Sequence, residues 1–258
     1  MWAPAGTVAR VPAAGPLGLP DRVRACLFDL DGVLTRTATV HQAAWKRTFD
    51  EFLRRRDPAA PEFTADDYNR YVDGKPRADG VRDFLSSRDI TLPEGGPGDP
   101  PDAATVQAIA ARKNELVLQE LDERGVEVYP GSVRYLKAVK TAGLATAVVT
   151  ASANGEQVIA AAGFADLIDV RVDGVVAARD GLRGKPEPDT FLAGARALGV
   201  EPGEAVVFED ALAGVAAGRA GNFGYVVGVD RVGQAGGLRD RGADVVVTDL
   251  AQLLEGHP

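Results

Sequence analysis

The chain has 258 residues, 45% hydrophobic and 26% charged, an ordinary globular range that excludes a wholly disordered chain. Acidic residues outnumber basic ones 37 to 29, for a net charge of -8, so no basic excess marks a nucleic-acid surface. One cysteine, Cys26, excludes an intrachain disulfide and suits a reducing, cytoplasmic setting. At about 150 residues per domain, the length fits one core domain and a smaller second unit.

Residues 1–20 are rich in Pro, Gly and Ala and read as an irregular lead-in, without the apolar run of a signal peptide. No stretch reaches the roughly 18 apolar residues of a membrane span, so no membrane partner is expected. Residues 23–28 are short and apolar and end in the polar cluster Asp29-Leu30-Asp31-Gly32, the pattern of a buried strand entering a loop. Cys26 lies in that strand and reads as a small buried apolar residue.

Residues 40–56 have helical spacing. Trp45, Thr48, Phe49 and Phe52 share one face, and Arg54, Arg55 and Arg56 stand at the C-terminal end, where the helix dipole favours cations. Further helices are expected over residues 64–72, 77–87 and 103–124, with prolines and glycines breaking the chain at 57–63 and 91–102. Nothing from 39 to 126 reads as a strand, so this stretch is expected to be an all-helical domain.

From residue 127 the rhythm changes. Strands are expected at 144–149, 167–172, 205–208, 225–229 and 243–247, and helices at 132–142, 155–162, 188–198 and 213–220. Such alternation implies a parallel, doubly wound α/β sheet with right-handed crossovers. The fold class expected is therefore a Rossmann-like core, residues 21–38 and 127–258, with an all-helical cap domain at 39–126 inserted after the first strand. Ligands of such sheets bind beyond the carboxyl ends of the strands.

Those strand ends carry the reactive residues. The first ends in Asp29 and Asp31, the second in Thr150-Ala151-Ser152, and the strand at 205–208 in Glu209-Asp210; Gly184-Lys185-Pro186 lies in a loop between them. Carboxylates gathered in one crevice repel one another and suit a hard divalent cation with oxygen ligands, such as Mg²⁺. A lysine and a hydroxyl beside the metal supply what a transferring phosphoryl group needs. An aspartate can attack phosphorus, and a second carboxyl two residues on can shuttle the proton.

The segments LFDLDGVLT, VVTASANG, GKPEPD and VVFEDALAGV, in that order, resemble the haloacid dehalogenase superfamily over roughly residues 21–254. Thr37-Ala38-x-x-His41-x-x-x-Trp45 and Gly74-x-x-Arg77 make the chain most similar to the β-phosphoglucomutase-like group with a helical cap. The resemblance implies Asp29 as nucleophile and Asp31 as general acid/base, with His41 near the cap hinge controlling Asp31. It implies Thr150, Ala151 and Lys185 on the transferring phosphate, and Arg77, assisted by Lys75, on the other phosphate. Gly74, Thr37 and Ser152 join the substrate-binding set, although Ser152 and Asn154 also stand where they could cap the next helix. The metal donors implied are Asp29, Asp31 (through its carbonyl), Glu209 and Asp210.

Two residues depart from the family pattern. Arg36 stands where an acidic residue is usual, which would place a cation at the mouth of the site. Asp73 stands where a cap lysine often precedes the glycine, with Lys75 two positions later. The breaks at 57–63 and 91–102 enlarge the cap. The resemblance implies a phosphosugar mutase acting on β-glucose 1-phosphate and glucose 6-phosphate through an aspartyl-phosphate and a sugar bisphosphate. A phosphatase of sugar or cyclitol phosphates on the same scaffold, and a non-catalytic sugar-phosphate sensor, are the alternatives. The oligomeric state is not legible, and a monomer is compatible with the sequence.

Overall fold

Six short runs of small and β-branched residues pair into one sheet in the computed structural model of the chain, which describes residues 17–255. They are β1 (Ala25–Phe28), β2 (Ala145–Val149), β3 (Val170–Val172), β4 (Ala205–Glu209), β5 (Tyr225–Val229) and β6 (Val245–Val247). The spatial order is β3-β2-β1-β4-β5-β6, and every neighbouring pair is parallel. Parallel strands need crossovers, and crossover helices cover both faces; hence the central strands are apolar at nearly every position rather than alternating.

The two faces build separate cores. Cys26 and Phe28 of β1 and Val206 and Phe208 of β4 point to one side, where they meet α5 (Pro130–Thr141) and α6 (Gly155–Ala162). Phe28 stacks on Phe208 with ring centroids 4.5 Å apart, and Tyr135 of α5 packs edge-on against both. The Tyr135 hydroxyl donates to the Leu17 carbonyl, which docks the described end of the lead-in; residues 1–16 lie outside the described residues. Ala25, Leu27, Ala205 and Val207 point to the opposite side. They pack there under α8 (Asp189–Leu198), α9 (Leu212–Ala220) and α10 (Ala235–Asp240). Cys26 is fully buried, and burial pushes its thiol pKa up.

Between β1 and β2 the chain forms α1 (Thr37–Arg56), α2 (Ala65–Asp67) running into a π-helical turn at Tyr68–Val72, α3 (Arg77–Ser87) and α4 (Val106–Arg124). Among the described residues no strand falls in this segment. It has its own core, in which Phe49 stacks on Trp45 at 5.0 Å and meets Phe84 at 4.2 Å. The two linkers to the sheet pair with each other: Arg36 N–H donates to the Glu127 carbonyl and Tyr129 N–H to that of Leu34.

Local chemistry moves several boundaries from those expected. The fourth helix of the segment starts at Val106, not 103, because the Thr105 hydroxyl accepts from Ala108 N–H as an N-cap. The run 167–172 is a strand only from Val170: a 3₁₀ turn holds Ala165–Leu167, and the Asp169 carboxylate accepts from the Thr146 amide and hydroxyl. Helix α7 (Gly174–Asp180) was not expected; Asp173 nucleates it by accepting from the amides of Val175 and Val176. Helix α10, with two glycines in six residues, lacks a readable apolar period. No helix among the described residues is long and apolar enough to cross a membrane.

Candidate active site

Strand β1 sits mid-sheet, and its neighbours β2 and β4 run off in opposite directions of chain order. This is the topological switch point, where the loops beyond the strand ends part and leave a crevice. Three such loops converge there.

The loop after β1 carries Asp29 and Asp31. Asp29 N–H donates to the Phe208 carbonyl and so extends the ladder by one residue before the chain turns. The turn is fixed by Leu34 and Thr35 amides donating to the Leu30 carbonyl, and Arg231 braces it from outside by donating to the Gly32 carbonyl at 2.7 Å. Gly32 has φ +93° and faces the Asp210 carboxylate so closely that a Cβ would collide with it. No other residue suits that point.

Asp29 is 5% exposed. Lys185 is equally buried, and its ammonium donates to Asp29 Oδ1 at 2.5 Å, to Glu209 Oε1 at 2.7 Å and to the Val149 carbonyl at 3.1 Å. All three of its protons are therefore placed. Burial drives the Asp29 carboxyl pKa upward, Lys185 opposes that, and the charges of Glu209 and Asp31 add to it. The same carboxylates raise the Lys185 pKa against the cost of its own burial. Asp210 is pushed up in turn by burial and by Asp73, Glu209 and Asp29. One ammonium thus faces more buried carboxylates than it can neutralise, which suits a hard divalent cation held by oxygen. No three His, Cys, Asp or Glu side chains among the described residues form a ready cage for it.

Of the four expected metal donors, Asp29, Asp31 and Asp210 line the cavity. Glu209 differs from expectation. It is fully buried, with Oε1 on Lys185 and Oε2 accepting from Ala211 N–H at 2.7 Å, and it does not line the cavity. Thr37 also differs. It is buried behind Asp31, to whose Oδ1 it donates, and it shares a hydrogen bond with Thr35, so it holds the carboxylate rather than a ligand. Thr150 donates to the other Asp31 oxygen at 3.2 Å.

The helical segment supplies the opposite wall: His41, Trp45, Tyr68, Asp73, Gly74, Lys75 and Arg77, with Lys113 and Asn114 of α4. His41 Nε2 lies 3.6 Å from Asp31 Oδ1 and has no hydrogen-bond partner, while its Nδ1 is 2.8 Å from Lys113 Nζ. Burial and the Lys113 charge lower the His41 pKa to about 4, so the ring is neutral at pH 7. With Lys113 donating to Nδ1, the ring proton sits on Nε2 and faces Asp31. Lys113 itself is 2% exposed and lies 5.1 Å from the Trp45 ring centroid. Burial and the charge of Arg77 bring its pKa down to about 7. Arg77 is lowered by burial as well, and no acidic partner faces it among the described residues. A half-buried guanidinium and a buried amine, with no salt bridge to either, make a site for an anion.

Other expected residues fall elsewhere. Lys75 reaches the cavity wall, but its ammonium is 2.6 Å from Asp83. Arg36 is not at the mouth; it stacks 4.7 Å over the Tyr129 ring beside the linkers. Ala151, Ser152 and Asn154 line the cavity. Neither Ser152 nor Asn154 caps α6 with its side chain; the Asn154 amide instead donates across to Asn114 of α4 at 3.0 Å. Lys113, Asn114 and Tyr68 were missed, because a lysine inside a long polar-looking helix carries no local mark. The cavity between the helical segment and the sheet holds about 40 Å³, room for a few waters only, and adjoins a second of about 500 Å³ that shares Lys75, Thr150 and Ala151.

Residues 23–222 match the family model of haloacid dehalogenase-like hydrolases. The chain is 55% identical over 246 residues to the β-phosphoglucomutase of Mycobacterium tuberculosis, covering 92% of this chain and 94% of that one. It is similar in structure to a β-phosphoglucomutase from Clostridium difficile, with a TM-score of 0.72 at 26% identity, covering 90% and 93% of the two chains. It is likewise similar to CbbY from Rhodobacter sphaeroides in complex with phosphate, with a TM-score of 0.67 at 25% identity, over 91% and 98%.

Proposed function

The chain belongs to the haloacid dehalogenase-like hydrolases, and from that premise we propose that it is a Mg²⁺-dependent phosphosugar mutase interconverting β-glucose 1-phosphate and glucose 6-phosphate. The observation that carries this reading is the pairing of two poles, each with a group for a phosphate, in one cavity between cap and core. Asp29 and Thr150 stand at one pole, with Lys185 behind them on Asp29, and Arg77 with Lys113 at the other. A sugar bisphosphate has a phosphate for each. The likeness to the mycobacterial β-phosphoglucomutase supports the same choice.

In this reading Asp29 takes the phosphoryl group and returns it to a sugar hydroxyl. Lys185 opposes the upward push of burial on the Asp29 carboxyl and aligns it. Glu209 holds Lys185 rather than the substrate. The Mg²⁺ would be held by Asp29, Asp210 and the Asp31 carbonyl, and when bound it neutralises charge on the phosphoryl oxygens. Asp31 takes the proton from the attacking hydroxyl and gives it to the leaving oxygen. Thr37 and Thr150 hold its carboxylate from two sides, and the His41 Nε2–H, fixed by Lys113, faces it. Thr150, Ala151 and Ser152 line the transferring pole.

The helical segment acts as the cap. In this reading the cap swings out on the paired linkers at 33–36 and 126–129 to admit a hexose phosphate, for which the 40 Å³ cavity alone has no room. Closure expels water, which would otherwise hydrolyse the aspartyl-phosphate. The Asn114–Asn154 hydrogen bond joins cap and core in the closed form.

The test is a coupled assay of glucose 6-phosphate formation from β-glucose 1-phosphate, with and without chelator, in wild type and Asp29→Asn. Turnover that needs Mg²⁺ and falls at least 10³-fold in the variant supports the reading. Release of inorganic phosphate as the main product assigns the protein to the phosphatases instead.

A further inference from the structure

We propose that Arg231 and Gln234, in the loop after β5, are positioning residues that hold the two halves of the Mg²⁺ donor set in register and so set the affinity of the site for a divalent cation. This rests on the reading above, in which Asp29, the Asp31 carbonyl and Asp210 hold the metal.

Those donors stand on two loops. Strands β1 and β4 are neighbours, and their ladder ends where Asp29 N–H donates to the Phe208 carbonyl. Past that point, among the described residues, no hydrogen bond joins residues 30–36 directly to residues 209–213. The carboxylates on the two loops repel one another. Mg²⁺ demands near-ideal octahedral oxygen geometry. A third element has to fix one loop against the other.

The loop after β5 reaches both. The Asp230 carboxylate shapes it by accepting from the amides of Val232, Gly233 and Gln234 at 3.2, 2.7 and 2.9 Å. Arg231 Nε donates to the Gly32 carbonyl at 2.7 Å, and one terminal nitrogen donates to the Val33 carbonyl at 3.3 Å. Gly32 follows Asp31, so fixing the Gly32 carbonyl also fixes the adjoining peptide plane, which carries the Asp31 carbonyl. The Gln234 side-chain amide donates to the Asp210 carbonyl at 3.0 Å. The guanidinium is itself held. Its other terminal nitrogen donates to the Thr248 carbonyl at 2.7 Å, and its face lies 3.6 Å from the Tyr129 ring centroid. Arg231 and Gln234 are three residues apart on one shaped loop, so the loop works as a bracket across the two donor loops.

The charge of Arg231 and its hydrogen bonds act on a metal ion with opposite signs. A fixed cation near the site repels a divalent cation, so loss of the charge alone would tighten binding. Loss of the bracket loosens the donors and weakens binding. Partners that orient metal ligands typically contribute about 10–100-fold in metal affinity.

The experiment measures Mn²⁺ binding by the electron paramagnetic resonance signal of the free ion, without substrate. Mn²⁺ shares the oxygen preference of Mg²⁺. Wild type is compared with Arg231→Met, Gln234→Met and Arg22→Met. The last removes a similar brace at the other end of β5, where Arg22 donates to the carbonyls of Gly203 and Gly224 at 3.2 and 2.6 Å. Circular dichroism in the absence of metal establishes that each variant is folded. The Kd for Mn²⁺ is expected to rise about 10–100-fold in Arg231→Met and about 10-fold in Gln234→Met, which removes no charge. It should stay within about threefold in Arg22→Met. Where Arg231→Met does not fold, Gln234→Met decides alone. Affinities of the loop variants within threefold of wild type, tighter binding in Arg231→Met, or an equal loss in Arg22→Met would overturn the proposal. Wild type that binds no Mn²⁺ removes the metal reading itself, and this one with it.

Discussion

Lys185→Met replaces a buried ammonium by an apolar side chain of similar length. In the wild type that ammonium pairs with Asp29 at 2.5 Å and Glu209 at 2.7 Å and donates to the Val149 carbonyl at 3.1 Å. All of these groups are shielded from solvent. Removing one partner of a buried ionic cluster costs roughly 3–5 kcal/mol, because the remaining charge has neither water nor counter-ion. At a urea dependence of roughly 3 kcal/mol/M, a loss of about 4 kcal/mol moves the unfolding midpoint down by about 1.3 M. The loss must depend on pH. Burial already raises Asp29 above its ordinary value, and Lys185 is the main opposing influence. Without it, the folded variant binds a proton that the unfolded chain does not hold at neutral pH. An acid whose folded pKa is raised loses stability as pH rises through the window above its unfolded value. The variant should therefore lie closer to wild type at pH 5 than at pH 7.5. Urea titrations at the two pH values, followed by circular dichroism, measure this. A loss below about 1 kcal/mol, or the same loss at both pH values, would refute the counter-charge role of Lys185.

Lys113, with its pKa lowered to about 7, is about one-tenth protonated at pH 8, and an anion beside it restores its charge. Binding of glucose 6-phosphate to Asp29→Asn at pH 8 should take up about 0.9 proton by calorimetry in two buffers, and the uptake should vanish in an added Lys113→Met change. Gly74→Ala forces a side chain onto φ +71° and against Ala211; it should cost about 1–3 kcal/mol in thermal unfolding and lower kcat/KM at least 10-fold. Phe84→Ala empties the core of the helical segment, where Phe84 is fully buried, and should cost about 3–5 kcal/mol. Hydrogen exchange should place that loss in residues 45–110 and leave the sheet protected, since the two clusters are separate and Ala44, Leu116, Val117 and Leu121 belong to that of the sheet; uniform deprotection would contradict this.

The sheet was legible because buried parallel strands are nearly continuous apolar runs, and the reactive residues follow directly on them. Asp29, Thr150 and Asp210 were found by their place after a strand, which needs no knowledge of side-chain direction. Side-chain direction is what sequence did not carry. Glu209 and Asp210 are adjacent, yet one is turned inward to Lys185 and the other lines the cavity. Arg36 and Thr37 are adjacent too, and one stacks on Tyr129 while the other holds Asp31. Lys113 was invisible for a related reason. Its helix has polar residues on most faces, and only the packing of α1 against α4 shows that this lysine points inward onto Trp45 and His41. Asp73 departs from the family pattern in the sequence, but its place on the cavity wall depends on packing of its loop at Ala211 and Gly184, which lie more than 100 residues away.

The central claim is that Asp29 passes a phosphoryl group between two sugar hydroxyls with water shut out. A ³¹P NMR time course tests it most directly, with the protein, Mg²⁺, β-glucose 1-phosphate and a trace of glucose 1,6-bisphosphate. The account predicts that the glucose 6-phosphate resonance grows as that of β-glucose 1-phosphate falls, with no matching rise in inorganic phosphate. Inorganic phosphate appearing in step with the loss of β-glucose 1-phosphate would contradict it.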